Sequence, residues 1–146
     1  MHDATNRLKQ HGIDVICAGF VLGAEGESEE TLQETRDFVR QLKAIGNTDT
    51  LPASPLIPLP GASAFKRLLD VLKQKDPGKA AELETADDFN LPELVELWNR
   101  HLCLVPLDRV LAVCEEIGSQ FRIGIRYIRM KRDARGHADT LRGMGA

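Results

Sequence analysis

Apolar positions in this chain change their spacing as the sequence proceeds. From Ile13 to Leu22 they are almost continuous: Val15, Ile16, Cys17, Ala18, then Phe20, Val21 and Leu22 after Gly19. A β-rich run without alternation reads as a parallel strand buried on both faces. Gly23 and Gly26 end it. Ser28 then offers an N-cap, with Glu29 and Glu30 in the first turn, where negative charge is favoured. Leu32, Thr35, Phe38, Val39, Leu42 and Ile45 follow at helical spacing, and Gly46-Asn47 closes that helix. Upstream, residues 3–11 read as the end of a helix stopped by Gly12.

A second strand is expected near Leu51–Ile57. Pro52 and Pro55 cannot donate to a ladder, so it must be short, at an edge, or partly extended loop. Pro58-Leu59-Pro60-Gly61 turns into a helix over 62–75 carrying Phe65, Leu68, Leu69 and Leu72. Asp76-Pro77-Gly78 breaks it. Residues 79–88 read as a weak helix or a loop. Asn90 with Glu93 three residues on resembles a capping box, opening a helix with Leu91, Leu94, Val95, Trp98 and Leu102. Pro106 starts the last helix, whose stripe is Leu107, Val110, Leu111, Cys114, Ile117 and Phe121, continuing to Ile125 and Ile128. Gly118 and Gly124 inside that run are expected to kink or split it. The order strand, helix, strand, helix and then helices alone predicts an α/β fold. The expected division is 1–75, a helical region over 76–130, and a frayed tail over 131–146.

Composition narrows the class without changing this picture. The 146 residues are 42% hydrophobic and 28% charged, as in an ordinary globular domain. No apolar run reaches the roughly 18–20 residues that span a bilayer. No secretory leader is expected, and cytoplasm is the expected compartment. Residues 126–146 hold six Lys or Arg against two Asp or Glu, a local +4, which leaves −7 on the first 125 residues. Such a tail suits a solvated helix end. Nucleic acid is not an expected partner, because Tyr127 alone offers an aromatic there for base stacking. Cys17, Cys103 and Cys114 stand far apart, with no CxxC spacing. Cys17 and Cys114 fall on apolar elements, as buried thiols do.

Candidate chemistry is sparse. There is no GxxxxGK[ST], no GxGxxG after a strand, no GxSxG and no HExxH. The histidines (His2, His11, His101, His137) are scattered and fit surface or helix-end positions. What remains is the carboxyl end of the first strand, where ligands of parallel α/β sheets bind. Glu25 and Glu27 lie there. Two readings stand side by side. One of them, or the glycine-lined backbone, contacts a polar ligand; or the glycines make the turn and the glutamates favour the helix N-terminus.

Gly12-Ile13-Asp14-Val15, followed by the run from Phe20 to Thr31 (FVLGAEGESEET), resembles the later half of radical S-adenosylmethionine enzymes. In that family a strand of the type GIxVxxxFIxGxPGET leads into a helix, which Thr35-Arg36-Asp37-Phe38 matches. Ser54-Pro55-Leu56-Ile57-Pro58-Leu59-Pro60-Gly61-Ala62, with Phe65 beyond, is similar to the family's SPxxPxPGT/S segment. Trp98–Cys103 (WNRHLC) is similar to the C-terminal helical region of members that carry a cobalamin domain upstream. The resemblance covers residues 11–70 most closely.

The resemblance implies the last two β/α units of a partial (β/α) barrel followed by a C-terminal helical extension. It implies that Gly19, Val21 and Gly23 line the adenosyl part of S-adenosylmethionine, with Glu25, Glu27, Ser54 and Leu56 near the same cavity. The family's CxxxCxxC loop, which holds a [4Fe–4S] cluster, is absent from this sequence. Glu25 replaces the proline of GxPGE, and in the pattern GxIxGxxE the glutamate falls at Glu27, one position late. The chain is therefore expected to be the distal part of a longer enzyme, inactive alone, with no catalytic or metal-ligating residue of its own. S-adenosylmethionine and the cluster would act in the parent, as would cobalamin if the parent carries that domain. The expected partner is the remainder of the barrel or a complementing chain. Two other readings are a non-catalytic α/β module that binds a partner through a strand edge or the basic tail, and a small enzyme using Glu25 or Glu27 as acid or base.

Overall fold

The computed structural model describes residues 2–13, 15–17 and 19–120. Along these the order is α1 (His2–Gln10), β1 (Val15–Cys17), β2 (Phe20–Leu22), α2 (Glu29–Ile45), β3 (Thr48–Thr50), β4 (Ala53–Pro55), α3 (Ser63–Lys75), α4 (Pro77–Thr85), α5 (Leu91–Leu102) and α6 (Leu107–Gln120). The expected continuation of the last stripe to Phe121, Ile125 and Ile128, the glycine at 124 and the basic tail lie outside the described residues. So does the side chain of Cys17.

The expected α/β partial barrel is overturned. The described residues are mostly helical. The four strands have three residues each and form two separate two-stranded parallel sheets, β1 with β3 and β2 with β4. The pairing explains why they are so short. Val15 faces Thr48, Cys17 faces Thr50 and Phe20 faces Ala53, an offset of 33 throughout. The two ladders therefore keep one register across their interruption. Pro52, at the break, accepts from Phe20 N–H at 2.9 Å but has no N–H to return. The second strand accordingly begins earlier than expected, at Thr48, and comes in two pieces.

Helix ends follow local chemistry closely. The Ser28 side chain accepts Thr31 N–H and the Thr31 hydroxyl accepts Ser28 N–H, a reciprocal capping box. Gly46, at φ 74°, closes α2 in the left-handed conformation. The segment read as a weak helix or loop is α4. Asp76 not only ends α3 but caps α4 by accepting Lys79 N–H at 3.0 Å, with Pro77 in the first turn. Gly118 is buried within α6, which runs on to Gln120.

Two hydrophobic clusters result. The first joins Leu22, Leu51 and Ala53 of the sheet region to Leu32, Val39 and Leu42 of α2 and Val110, Val113, Cys114 and Ile117 of α6. Phe20 and Phe38 meet edge to face beside it, with ring centroids 5.9 Å apart. The second gathers Phe65, Leu68, Leu72, Ala80, Leu83, Leu94 and Trp98 from α3, α4 and α5. Each fully buried Leu in these clusters contributes about 1.5–3 kcal/mol of transfer free energy. α2 and α6 run side by side in the same direction, held by Arg36–Glu116 at 2.5 Å and Arg109–Glu29 at 2.8 Å. No helix among the described residues is long and apolar enough to cross a membrane.

Candidate functional site

Strand alternation sorts the residues of β2 and β4 onto two faces. Phe20, Leu22 and Ala53 turn toward the first cluster. Val21 turns the other way and is 62% exposed, although it is a β-branched apolar residue within a parallel pair. Val21 is in register with Ser54, which puts both on that second face. Gly19 and Leu56 continue the alternation at either end. The ladder reaches as far as Leu56, whose N–H donates to the Leu22 carbonyl at 2.7 Å. Gly19 is exposed, Ser54 is half-buried, and Leu56 is half-buried against the second cluster. Four of the seven residues expected around a cofactor, Gly19, Val21, Ser54 and Leu56, thus share one sheet face, opposite the first core.

Gly23 ends the strand rather than lining that face. Its φ of 81° is left-handed. A Cβ there would stand 3.5 Å from Val110 Cγ1 and 3.8 Å from Cys103 Sγ, ordinary contact distances, so the conformation and not the space favours glycine. Its carbonyl accepts the Trp98 indole N–H at 2.7 Å and the Cys103 thiol at 3.1 Å. Its amide donates to Glu27 Oε2 at 3.1 Å.

Glu27 is 9% exposed and engaged in full. Besides the Gly23 amide it accepts the Thr31 hydroxyl on Oε1, and its carbonyl accepts Leu104 N–H at 3.0 Å. Gly26 N–H donates to the Leu102 carbonyl at 2.9 Å. The carboxylate of Glu27 therefore fastens the β2–α2 turn, and the end of α5 grips the same turn from outside. Glu25 sits at the exposed apex, where Arg67 of α3 meets it with a bidentate contact, Nη2 to Oε1 at 2.6 Å and Nε to Oε1 and Oε2 at 3.0 and 3.1 Å. That guanidinium holds the Glu25 carboxyl below its ordinary value of 4.5 and is itself raised in turn. Glu29 is lowered in the same way by Arg109. Between the two open readings of the glutamates, the geometry favours the turn-building one. Among the described residues, neither carboxylate stands beside a second group arranged for acid–base work.

Thiol chemistry is subdued. Burial pushes Cys103 up, against the opposing effect of the Asn99 amide, and the nearby Glu27 charge adds to the rise. Burial pushes Cys114 up to about 12. Neither thiol is set to ionise near neutral pH in the metal-free protein. No group of three or more His, Cys, Asp or Glu among the described residues could hold a metal ion. The donor set of these residues does not fit an iron–sulfur cluster. His101 is lowered, first by desolvation and then by Lys75 and Arg100.

Sequence reasoning missed the role of Trp98 and Cys103 in bracing the Gly23 carbonyl. A signal was present: the only Trp of the chain lies within six residues of a Cys at a helix end. Nothing local, however, links that segment to a turn some 75 residues earlier. No family model, no curated protein and no solved structure matches the chain.

Proposed function

We propose that this chain is the distal part of a longer radical S-adenosylmethionine enzyme and contributes one wall of the cofactor cavity. The observation that supports the reading is the second face of the β2–β4 pair. Gly19, Val21, Ser54 and Leu56, drawn from the two segments that resemble the family, share that face, and Val21 is left bare on it. Parallel strands are ordinarily covered on both faces, so an uncovered one calls for something to lie against it. A compact apolar side chain beside a hydroxyl and a glycine suits the adenosyl moiety, with Val21 against the ring and Ser54 available for a hydrogen bond.

Glu25 and Glu27 leave the set of direct contacts. They hold the turn at the end of β2, and so fix where the Val21 strand ends. A cluster held by the remainder of the enzyme would provide the reducing electron for cleavage of the sulfonium. Its ligands would come from the remainder of the enzyme, and this chain alone would be inactive. The reading does not require a barrel within these residues.

Sequencing the DNA immediately upstream of codon 1 tests the proposal. An in-frame segment with CxxxCxxC is the expected result, and an unrelated coding sequence overturns it. The alternative is a non-catalytic module that binds a partner through a strand edge. The sheets favour it: among the described residues each has two strands, so every strand keeps one edge unpaired, and such edges are templates for association. Light scattering separates the two readings. A monodisperse oligomer supports the module, and open-ended aggregation supports the distal part of a larger enzyme.

A further inference from the structure

We draw no further inference here: the strongest candidate, the cleft of about 410 Å³ between α5 and α6 lined by Glu96, Asn99, Arg100, Leu107, Asp108 and Leu111, carries nothing, because the unpartnered amide nitrogen of Asn99 on its wall is itself sealed from contact and the mixed charges of Arg100 and Asp108 are solvated surface groups that select no ligand.

Discussion

The turn from Gly23 to Ser28 and the strand face just before it are adjacent in sequence and finished in opposite ways. In the turn, both carboxylates and the carbonyls of Gly23 and Glu27 are bonded within the molecule, to α3, α5, the α5–α6 link and the first turn of α2. On the face, Val21 meets solvent and Ser54 lies beside it with only half its surface covered. Charge at the mouth of a parallel strand is therefore a poor guide to a ligand site here. A carboxylate that already accepts a backbone amide and a hydroxyl must break both to meet a ligand, and each such charged hydrogen bond is worth about 1.5–3 kcal/mol. An exposed Val on a strand has no bond to lose and gains by being covered.

The contrast can be broken from the braced side first. Trp98→Ala should cost about 3–5 kcal/mol through the cavity it leaves and the lost indole donor. Trp98→Phe, which keeps most of the bulk, should cost about 1 kcal/mol. Urea unfolding midpoints read both, and a Trp98→Phe variant as stable as the parent would show that the indole donor is not what holds the turn. Glu27→Ala should cost about 2–3 kcal/mol, because the Gly23 amide loses its buried acceptor. Faster hydrogen exchange at Gly23 should accompany it, and an unchanged exchange rate there contradicts the assignment.

On the open side the expected effects are small. Val21→Thr should shift stability by no more than about 0.5 kcal/mol, since its side chain is mostly in water. A loss several times larger would mean that the face is covered in the folded protein. Glu25→Gln should remove the Arg67 pair, whose weight depends on pH. The folded carboxyl lies below its ordinary 4.5, so the contribution of the pair is present above that value. It is lost as pH falls through the lower folded value. The variant should therefore lose the small, solvent-screened contribution of the pair at neutral pH and converge on the parent below about pH 4.5, where its own profile is the flatter. Equal profiles for variant and parent would show the Arg67 contact to be without thermodynamic weight. Cysteine labelling gives the finest comparison: iodoacetamide at pH 8 should modify Cys103 before Cys114, whose thiol lies near 12, as followed by peptide mass spectrometry.

Local order was legible where it depends on a few neighbouring residues. Ser28, Gly46, Asn90 and the apolar stripes of α2, α3 and α5 announce their helices, because caps and 3.6-residue periodicity act over a turn or two. Asp76-Pro77 was legible as a stop; that it also starts α4 came only with the structure. The strands were less so. The run from Ile13 to Leu22 reads as one element, yet a strand exists only where a partner supplies bonds, and Pro52 interrupts the partner. The site was legible as a set of positions and not as a set of roles. The resemblance put Gly19 and Val21 together, while the fate of Glu25 and Glu27 rested on Arg67, Thr31 and Leu104.

By itself, then, the sequence determined α2, α3 and α5 and the caps of α2 and α5; it read the Val21 strand as buried on both faces, and the structure exposes Val21. Tertiary structure decided that the chain is mainly helical rather than a piece of barrel. It decided that Trp98 and Cys103 seize the Gly23 carbonyl and that the glutamates build the turn. The physical reason is one of range. Backbone propensity and capping are settled within four or five residues. Ladder bonds, buried carboxylates and an uncovered sheet face depend on which distant segments arrive, and no short window of sequence contains both ends of those contacts.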